Sequence, residues 1–330
     1  MIHARARQGQ ARRGGPALYA SEATERVQRW AGSIIVVDTV AGVRGLEDPG
    51  LPLVPRRGAL RMPEGDTVAK VARELVALLR PPCDVRVEDR RRGRLGAWRL
   101  VGVATRGKHL LLRLCGEGGD RVVEVHLGLH GHWRRLAGGA AGRPPPGAAL
   151  VLATEDVAVG CFRTGRIRWW TPQGAAAAVD ALGPDLCDPA VDLYDAARRL
   201  AEAALGRTIA TVLLDQRVVA GIGNVYKSEV LFVVGVHPDT DAGSLGPDVA
   251  HRLVATAARL LRDNVDRSVR RTTPEGLGPR LWVYRRAGRP CLRCGHPVAC
   301  GHTGTPRRVT YWCRVCQRLG DARRGRDAHL

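Results

Sequence analysis

The chain has 330 residues, which suggests two domains rather than one, and 45% of them are hydrophobic, which excludes a wholly disordered polypeptide. Its 52 Lys+Arg stand against 32 Asp+Glu, and the formal charge of +20 points to a polyanionic partner. No uninterrupted apolar run reaches the roughly 18 residues of a membrane span, and the charged N-terminus MIHARARQGQARRGG has no apolar stretch behind it, so neither a membrane protein nor a secreted one is expected.

Residues 1–61 differ from the rest: they are Arg-rich, scattered with Gly and Pro, and carry one strand-like run, Ser33–Val40. They read as a disordered or loosely attached extension, or as a translated upstream region ahead of a mis-set start codon. Regular structure is expected from Met62. Asp66 is placed to cap a helix running to Arg80, with Val68, Val71, Leu75, Leu78 and Leu79 at helical spacing and Pro81-Pro82 as the stop. Between residues 83 and 170 the pattern changes to short runs separated by turn residues. The expected strands are Cys83–Val87, Trp98–Thr105, His109–Leu114, Val122–His126, Ala149–Thr154 and Ile167–Trp170, an antiparallel sandwich or barrel. Residues 171–189 are rich in Pro, Gly and Ala and read as a hinge-like connection. Helical periodicity returns in Val191–Ala204, Thr208–Leu214, Val225–Phe232 and Pro247–Arg270.

The last unit, Leu281–Gln317, holds Cys291-Leu-Arg-Cys294 and, after 18 intervening residues, Cys313-Arg-Val-Cys316. Tetrahedral zinc needs four converging ligands at about 2.3 Å for sulfur, and two tight CxxC turns across a hairpin-length spacer meet that need. One Zn2+ is expected, structural because four thiolates leave no position for water. Cys300, His296 and His302 lie in the spacer as competing ligands; Cys83, Cys115, Cys161 and Cys187 read as small core residues. With nine cysteines and no export signal, the pattern is that of metal binding in a reducing compartment.

Asp215-Gln-Arg-Val-Val-Ala-Gly221-Ile-Gly223-Asn224-Val-Tyr-Lys-Ser-Glu229 reads as helix, glycine turn, helix. Gly221 and Gly223 permit close backbone approach, and free N–H groups at the second helix start suit a phosphate, with Asn224 adding a side-chain bond. A glycine C-cap followed by an asparagine N-cap explains the same residues. Only Lys70, Lys108 and Lys227 are lysines among the 52 basic residues, so a lysine here carries more information than usual.

The hexapeptide Met62-Pro-Glu-Gly-Asp-Thr67, the DQRVVAGIGNVYKSE run and the paired CxxC motifs occur in an order that resembles the formamidopyrimidine-DNA glycosylase/endonuclease VIII family, over residues 62 to about 318. MPEGD, and Val159–Arg166 in place of a DPRRFG-like loop, resemble the endonuclease VIII side, and LWVYRRAGRPCLRCG its actinobacterial branch. The resemblance implies an α+β fold: an N-terminal antiparallel β-sandwich, then a C-terminal helix–two-turn–helix domain with a zinc-finger β-hairpin. The corresponding boundaries are 62–175 for the catalytic sandwich, 176–189 for the hinge, 190–278 for the helical DNA-binding domain, 279–320 for the hairpin and 321–330 for a tail.

The implied activity is a bifunctional DNA glycosylase and abasic-site lyase of base-excision repair. It would act as a monomer on double-stranded DNA holding oxidised bases, pyrimidines foremost, or abasic sites, by β,δ-elimination, in the cytoplasm near a bacterial nucleoid. Pro63 would be the amine nucleophile and Glu64 the general acid. Lys108, Arg308 and Asn224 would hold phosphates around the lesion, with Arg307 competing with Arg308. Leu129, in His126–Trp133, would wedge into the gap left by the flipped base. Two departures stand out. Pro63 is internal, and an amide nitrogen has no lone pair to donate, so either translation starts at Met62 with methionine removal, or the extension is cleaved, or the protein is not a lyase; the first is expected. Position 67 is Thr where several relatives carry a second early Glu. The rival readings are a non-catalytic zinc-containing damaged-DNA binder that keeps the extension, and a zinc-ribbon transcription factor.

Overall fold

The computed structural model describes residues 62–137, 145–203, 206–303 and 307–319. Residues 1–61, with the strand-like run Ser33–Val40, and the tail from 320 lie outside them.

Helix α1 (Gly65–Leu79) opens the described chain. Its stripe of Val68, Val71, Leu75 and Leu79 is buried against a sheet of β1 (Cys83–Asp89), β2 (Gly93–Arg106), β3 (His109–Cys115), β4 (Arg121–His126), β5 (His132–Leu136), β6 (Ala148–Ala153), β7 (Ala158–Phe162) and β8 (Arg166–Trp170). The eight strands form one antiparallel sheet in the order β5-β7-β6-β1-β2-β3-β4-β8. Strand β2 spans 14 residues and carries a bulge between Leu100 and Gly102, where a ladder bends. The sheet curls enough for β8, at one end of the order, to reach β1: Trp169 Nε1 donates to Asp89 Oδ2 at 2.7 Å. Leu100, Leu110, Leu112, Trp133, Leu150 and Val159 fill the space it encloses, the core of a sandwich.

Two strands are additional to those expected. β7 (AVGCF) is buried at every position and so lacks alternation, and β5 (HWRRL) is mostly polar. Asp66 does not cap α1; Glu64 holds the N-cap position, and the Asp66 carboxylate is drawn instead to Arg270 and Tyr226. The stretch read as a hinge carries a helix, α2 (Pro172–Asp180), whose cap Thr171 accepts from Gly174 N–H and whose proline sits in the first turn.

The helical part comprises α3 (Leu193–Glu202), α4 (Ile209–Val212), α5 (Asn224–Val234) and α6 (Pro247–Asp263) around Leu200, Leu213, Tyr226, Leu231, Leu253 and Leu261. α6 stops seven residues short of the expected Arg270. Asn264 caps it, donating to Leu260 and Arg271 carbonyls and accepting from Arg271 N–H, and turns the chain back toward α1. A two-stranded hairpin, β9 (Val298–Thr303) and β10 (Arg308–Cys313), packs on α5 through Phe232, Trp282, Val283 and Val298.

Candidate active site

Glu64 is 2% exposed, and a carboxylate this deep needs partners. It has three: the N–H groups of Gly223 at 2.8 Å, Val225 at 2.7 Å and Tyr226 at 3.3 Å. These are the unpaired first donors of α5, so the acid also lies at the positive end of that helix dipole. One residue on, Gly65 N–H donates to Gly221 O at 3.0 Å. MPEGD and the glycine turn thus interlock although 159 residues separate Glu64 from Gly223. The donors that the sequence offered to a phosphate are occupied by the protein's own carboxylate. Gly223, not Asn224, takes the N-cap position.

Asn224 faces β10. Its Nδ2 donates to Val309 O at 2.7 Å, and its Oδ1 accepts from Lys227 Nζ at 2.7 Å. Lys227 is 0% exposed and also donates to Thr310 Oγ1 at 2.7 Å and Val309 O at 3.3 Å. Burial lowers its pKa to about 7, with Glu64 opposing and Arg308 assisting.

Lys108 sits half-buried in the β2–β3 turn. The turn is fixed to the helical part by Asp185: Oδ2 accepts from Gly107 N–H at 2.7 Å and Oδ1 from Cys187 N–H at 3.0 Å. Gly107 has φ +56°, and a β-carbon there would meet that of Ala220 at 2.8 Å, so the approach requires glycine. Burial lowers the Lys108 pKa; Glu64 raises it, while Arg308 and Arg270 lower it further. Lys108, Glu64, Arg308 and Arg270 therefore share one electrostatic neighbourhood. Arg307 and Arg308 are both exposed at the start of β10. Arg308 is the one that acts on both Lys108 and Lys227.

Pro63 directly precedes Glu64, and the carbonyl before it, Met62 O, accepts from Arg270 Nη1 and Nη2 at 3.3 Å each. Leu129 is 52% exposed, in a turn closed by the Gly131 N–H bond to Leu127 O. Its neighbour Gly128 packs against Gly165 of the β7–β8 loop. Within that segment, His126 Nδ1 accepts from Gly128 N–H and His132 stacks on Phe162.

The sulfur atoms of Cys291, Cys294, Cys313 and Cys316 lie within 4.8 Å of one another, with Cys291–Cys316 at 3.9 Å and Cys294–Cys313 at 3.4 Å. Four sulfurs around a tetrahedral ion stand about 3.8 Å apart, so the set fits a metal. Cys300, exposed on β9, is not in the cluster.

Lys227, Asp185, Arg270 and Glu229 were not singled out by sequence reasoning as site residues. Glu229 is fully buried and accepts from the N–H groups of Trp282, Val283 and Tyr284, which seats the hairpin approach on α5. For Lys227 a signal existed in the rarity of lysine. Asp185 and Arg270 act across long sequence separations and left none.

Residues 182–273 match the family model of the formamidopyrimidine-DNA glycosylase H2TH domain. The chain is 42% identical over 265 residues to a probable endonuclease 8 2 of Streptomyces coelicolor, covering 78% of this chain and 94% of the relative. It is 40% identical to a DNA-(apurinic or apyrimidinic site) lyase of Mycolicibacterium smegmatis, covering 78% and 99%. Among solved structures, Lactococcus lactis formamidopyrimidine-DNA glycosylase bound to abasic-site DNA superimposes with a TM-score of 0.64 at 22% identity, covering 77% of this chain and 99% of that one, a likeness of fold. The identity to the first two, across nearly their whole lengths, makes this chain a member of the formamidopyrimidine-DNA glycosylase/endonuclease VIII family, of its actinobacterial endonuclease VIII-like kind.

Proposed function

We propose that the protein is a bifunctional DNA glycosylase and abasic-site lyase of base-excision repair, acting on oxidised bases, pyrimidines foremost, in double-stranded DNA. The observation that carries this reading is the seat of Glu64. Directly after Pro63 comes a buried carboxylate clamped by three N–H groups at the start of α5, and the same carboxylate, with Arg308 and Arg270, acts on Lys108.

With residues 1–62 removed, Pro63 carries a secondary amine with a reference pKa near 8, partly neutral at physiological pH. Its lone pair attacks C1′ of the sugar, the glycosidic bond breaks, and the base leaves as an anion that takes a proton from solvent. The proton shed by the Pro63 nitrogen passes to the Glu64 carboxylate, which delivers it to the ring oxygen, so the C1′–O bond opens and the sugar is held as an iminium on Pro63. Loss of a C2′ proton then expels the 3′ phosphate, and a second elimination expels the 5′ phosphate. Lys108, Arg308 and Asn224 hold those phosphates, with Arg307 and the Gly221–Gly223 turn beside them, and Leu129 fills the space of the extruded base. Cys291, Cys294, Cys313 and Cys316 would hold Zn2+, which when bound would supply rigidity to the hairpin that carries Arg308. The working units are the sandwich (62–175), the helical part (190–278) and the hairpin (279–320), in a monomer of the bacterial cytoplasm at the nucleoid.

The test is borohydride trapping on abasic and oxidised-pyrimidine duplexes with a protein beginning at Met62 and freed of that methionine. The two largest clusters of buried apolar residues among the described residues are built from positions within 62–319. A covalent adduct that disappears in Pro63→Gly and in the full 330-residue chain is expected. Binding without any adduct would leave the non-catalytic damaged-DNA binder as the reading.

A further inference from the structure

The nucleophile's surroundings contain a buried ion pair that the mechanism above does not use. Arg270, on the segment after α6, has its side chain 7% exposed. It donates to both oxygens of Asp66, Nε to Oδ2 at 2.8 Å and Nη2 to Oδ1 at 2.5 Å. Its guanidinium lies over the Tyr226 ring, 4.9 Å from the centroid, and Nη1 is 4.0 Å from Glu64 Oε1. The remaining donor capacity goes to Thr67 Oγ1 at 3.1 Å and, from both Nη atoms, to Met62 O at 3.3 Å. That carbonyl oxygen is two bonds from the Pro63 nitrogen, so the guanidinium stands beside the atom that must react.

Two carboxylates, Glu64 and Asp66, stand one and three residues after this nitrogen at the start of α1, and both lie beside the same guanidinium. A carboxylate near an amine stabilises the ammonium form, which has no lone pair. Glu64 is occupied by backbone N–H groups; Asp66 is occupied by Arg270 and by the Tyr226 hydroxyl at 3.0 Å. The other charged or titratable groups of this neighbourhood are Lys70 from α1, Lys108 from the β2–β3 turn, Cys187 from the segment before α3, Lys227 from α5, Arg308 from β10 and Tyr284, whose hydroxyl contacts Met62 Sδ. The cations disfavour an ammonium; among these groups, Asp66 is the carboxylate held by a guanidinium that substitution can remove.

We propose that Arg270 is a positioning residue for the nucleophile: it engages Asp66 so that this carboxylate cannot pair with the Pro63 amine, and thereby keeps the amine neutral and reactive. The proposal rests on Pro63 being the nucleophile. It deepens that reading by naming what prepares the nitrogen.

The experiment is the pH dependence of the borohydride-trapping rate on an abasic duplex, with the processed protein beginning at Pro63. Arg270→Gln leaves Asp66 with no guanidinium, so the acid limb moves to higher pH by about one unit or more, which is roughly a tenfold loss of rate near pH 6.5 and little loss on the alkaline plateau. Asp66→Asn, with Arg270 retained, moves the limb the opposite way. The double variant Arg270→Gln/Asp66→Asn returns it toward the wild-type position, and Arg270→Lys, which keeps the charge, largely preserves it. A merely structural role predicts equal loss at every pH and no rescue in the double variant, and either result overturns the proposal. If Arg270→Gln does not fold, the direction of the Asp66→Asn shift decides alone: an unmoved or raised limb refutes it. Wild-type protein that forms no adduct at any pH refutes Pro63 itself as the nucleophile, a separate outcome.

Discussion

A β-carbon at position 223 would lie 2.4 Å from Glu64 Cδ and 2.6 Å from its Cγ, closer than non-bonded carbons come. The backbone of Gly223 is extended at φ −123°, so glycine is required there by the neighbour and not by the torsion. Gly221 is the opposite case, with φ +104° in the region that L side chains rarely adopt. Gly223→Ala must therefore push Glu64 off its three N–H donors, leaving a buried carboxylate and the start of α5 both unsatisfied. A loss of about 1–3 kcal/mol in denaturant unfolding is expected, the usual cost of a buried polar group left unpaired. Trapping should fall much further than stability, because the acid is displaced from the reaction. A Gly223→Ala variant that traps at the wild-type rate would mean that Glu64 has no catalytic duty. Glycine turn and acid were each legible in the sequence as single motifs. Their interlock was not, since nothing in a local pattern tells a helix N-terminus waiting for phosphate from one already closed by a carboxylate 159 residues away.

At the scale of elements, the joint between α5 and β10 is a lysine with no carboxylate among its hydrogen-bond partners. Lys227 Nζ bonds two side-chain oxygens and one carbonyl in a site from which water is excluded. Its pKa of about 7 lies below the reference near 10.4, so between those values the unfolded chain binds more protons than the folded one. Stability contributed by this group accordingly rises as pH increases from 7 toward 10, and below 7 it changes little. The linkage amounts to roughly 2 kcal/mol between pH 7 and 9. The difference in urea midpoint between wild type and Lys227→Met, measured at both pH values, should show it; a difference independent of pH would remove the lysine's titration from the joint. The element pattern explains what sequence reading reached here. Helices α1, α3 and α6 bury one stripe each and were found by period, and the paired CxxC turns fixed the hairpin by spacing. Strand β7, with burial on both faces, and α2, set by a single threonine cap and a proline, carry no periodic signal and were missed.

Across the whole molecule the positive charge is not spread evenly. Arg90, Arg91, Arg92, Arg163, Arg166 and Arg168 line one open cavity with Trp169 and Trp170, between the β1–β2 turn and the β7–β8 loop. The acid on its wall, Asp89, is already engaged by Trp169 Nε1 and by Arg91 N–H. Guanidiniums stand over both indoles, Arg92 at 5.5 Å from the Trp169 centroid and Arg168 at 5.5 Å from that of Trp170. The cavity reaches Gly165, which contacts the Gly128–Leu129 turn, so it borders the segment expected to enter the duplex. Concentrating like charges costs stability unless an anion offsets them, so a phosphate backbone is the occupant expected along this wall. Each phosphate neutralised by a cationic side chain steepens the dependence of log K on log salt by about 0.9. Replacing Arg90, Arg92 and Arg168 by Ser should therefore flatten that slope for an abasic duplex longer than the lesion footprint by between about one and three units. On a duplex trimmed to the few base pairs around the lesion the slope should hardly change. Equal slopes for wild type and variant on the long duplex would show that the DNA leaves the cleft in another direction, and that the charge here serves solubility alone.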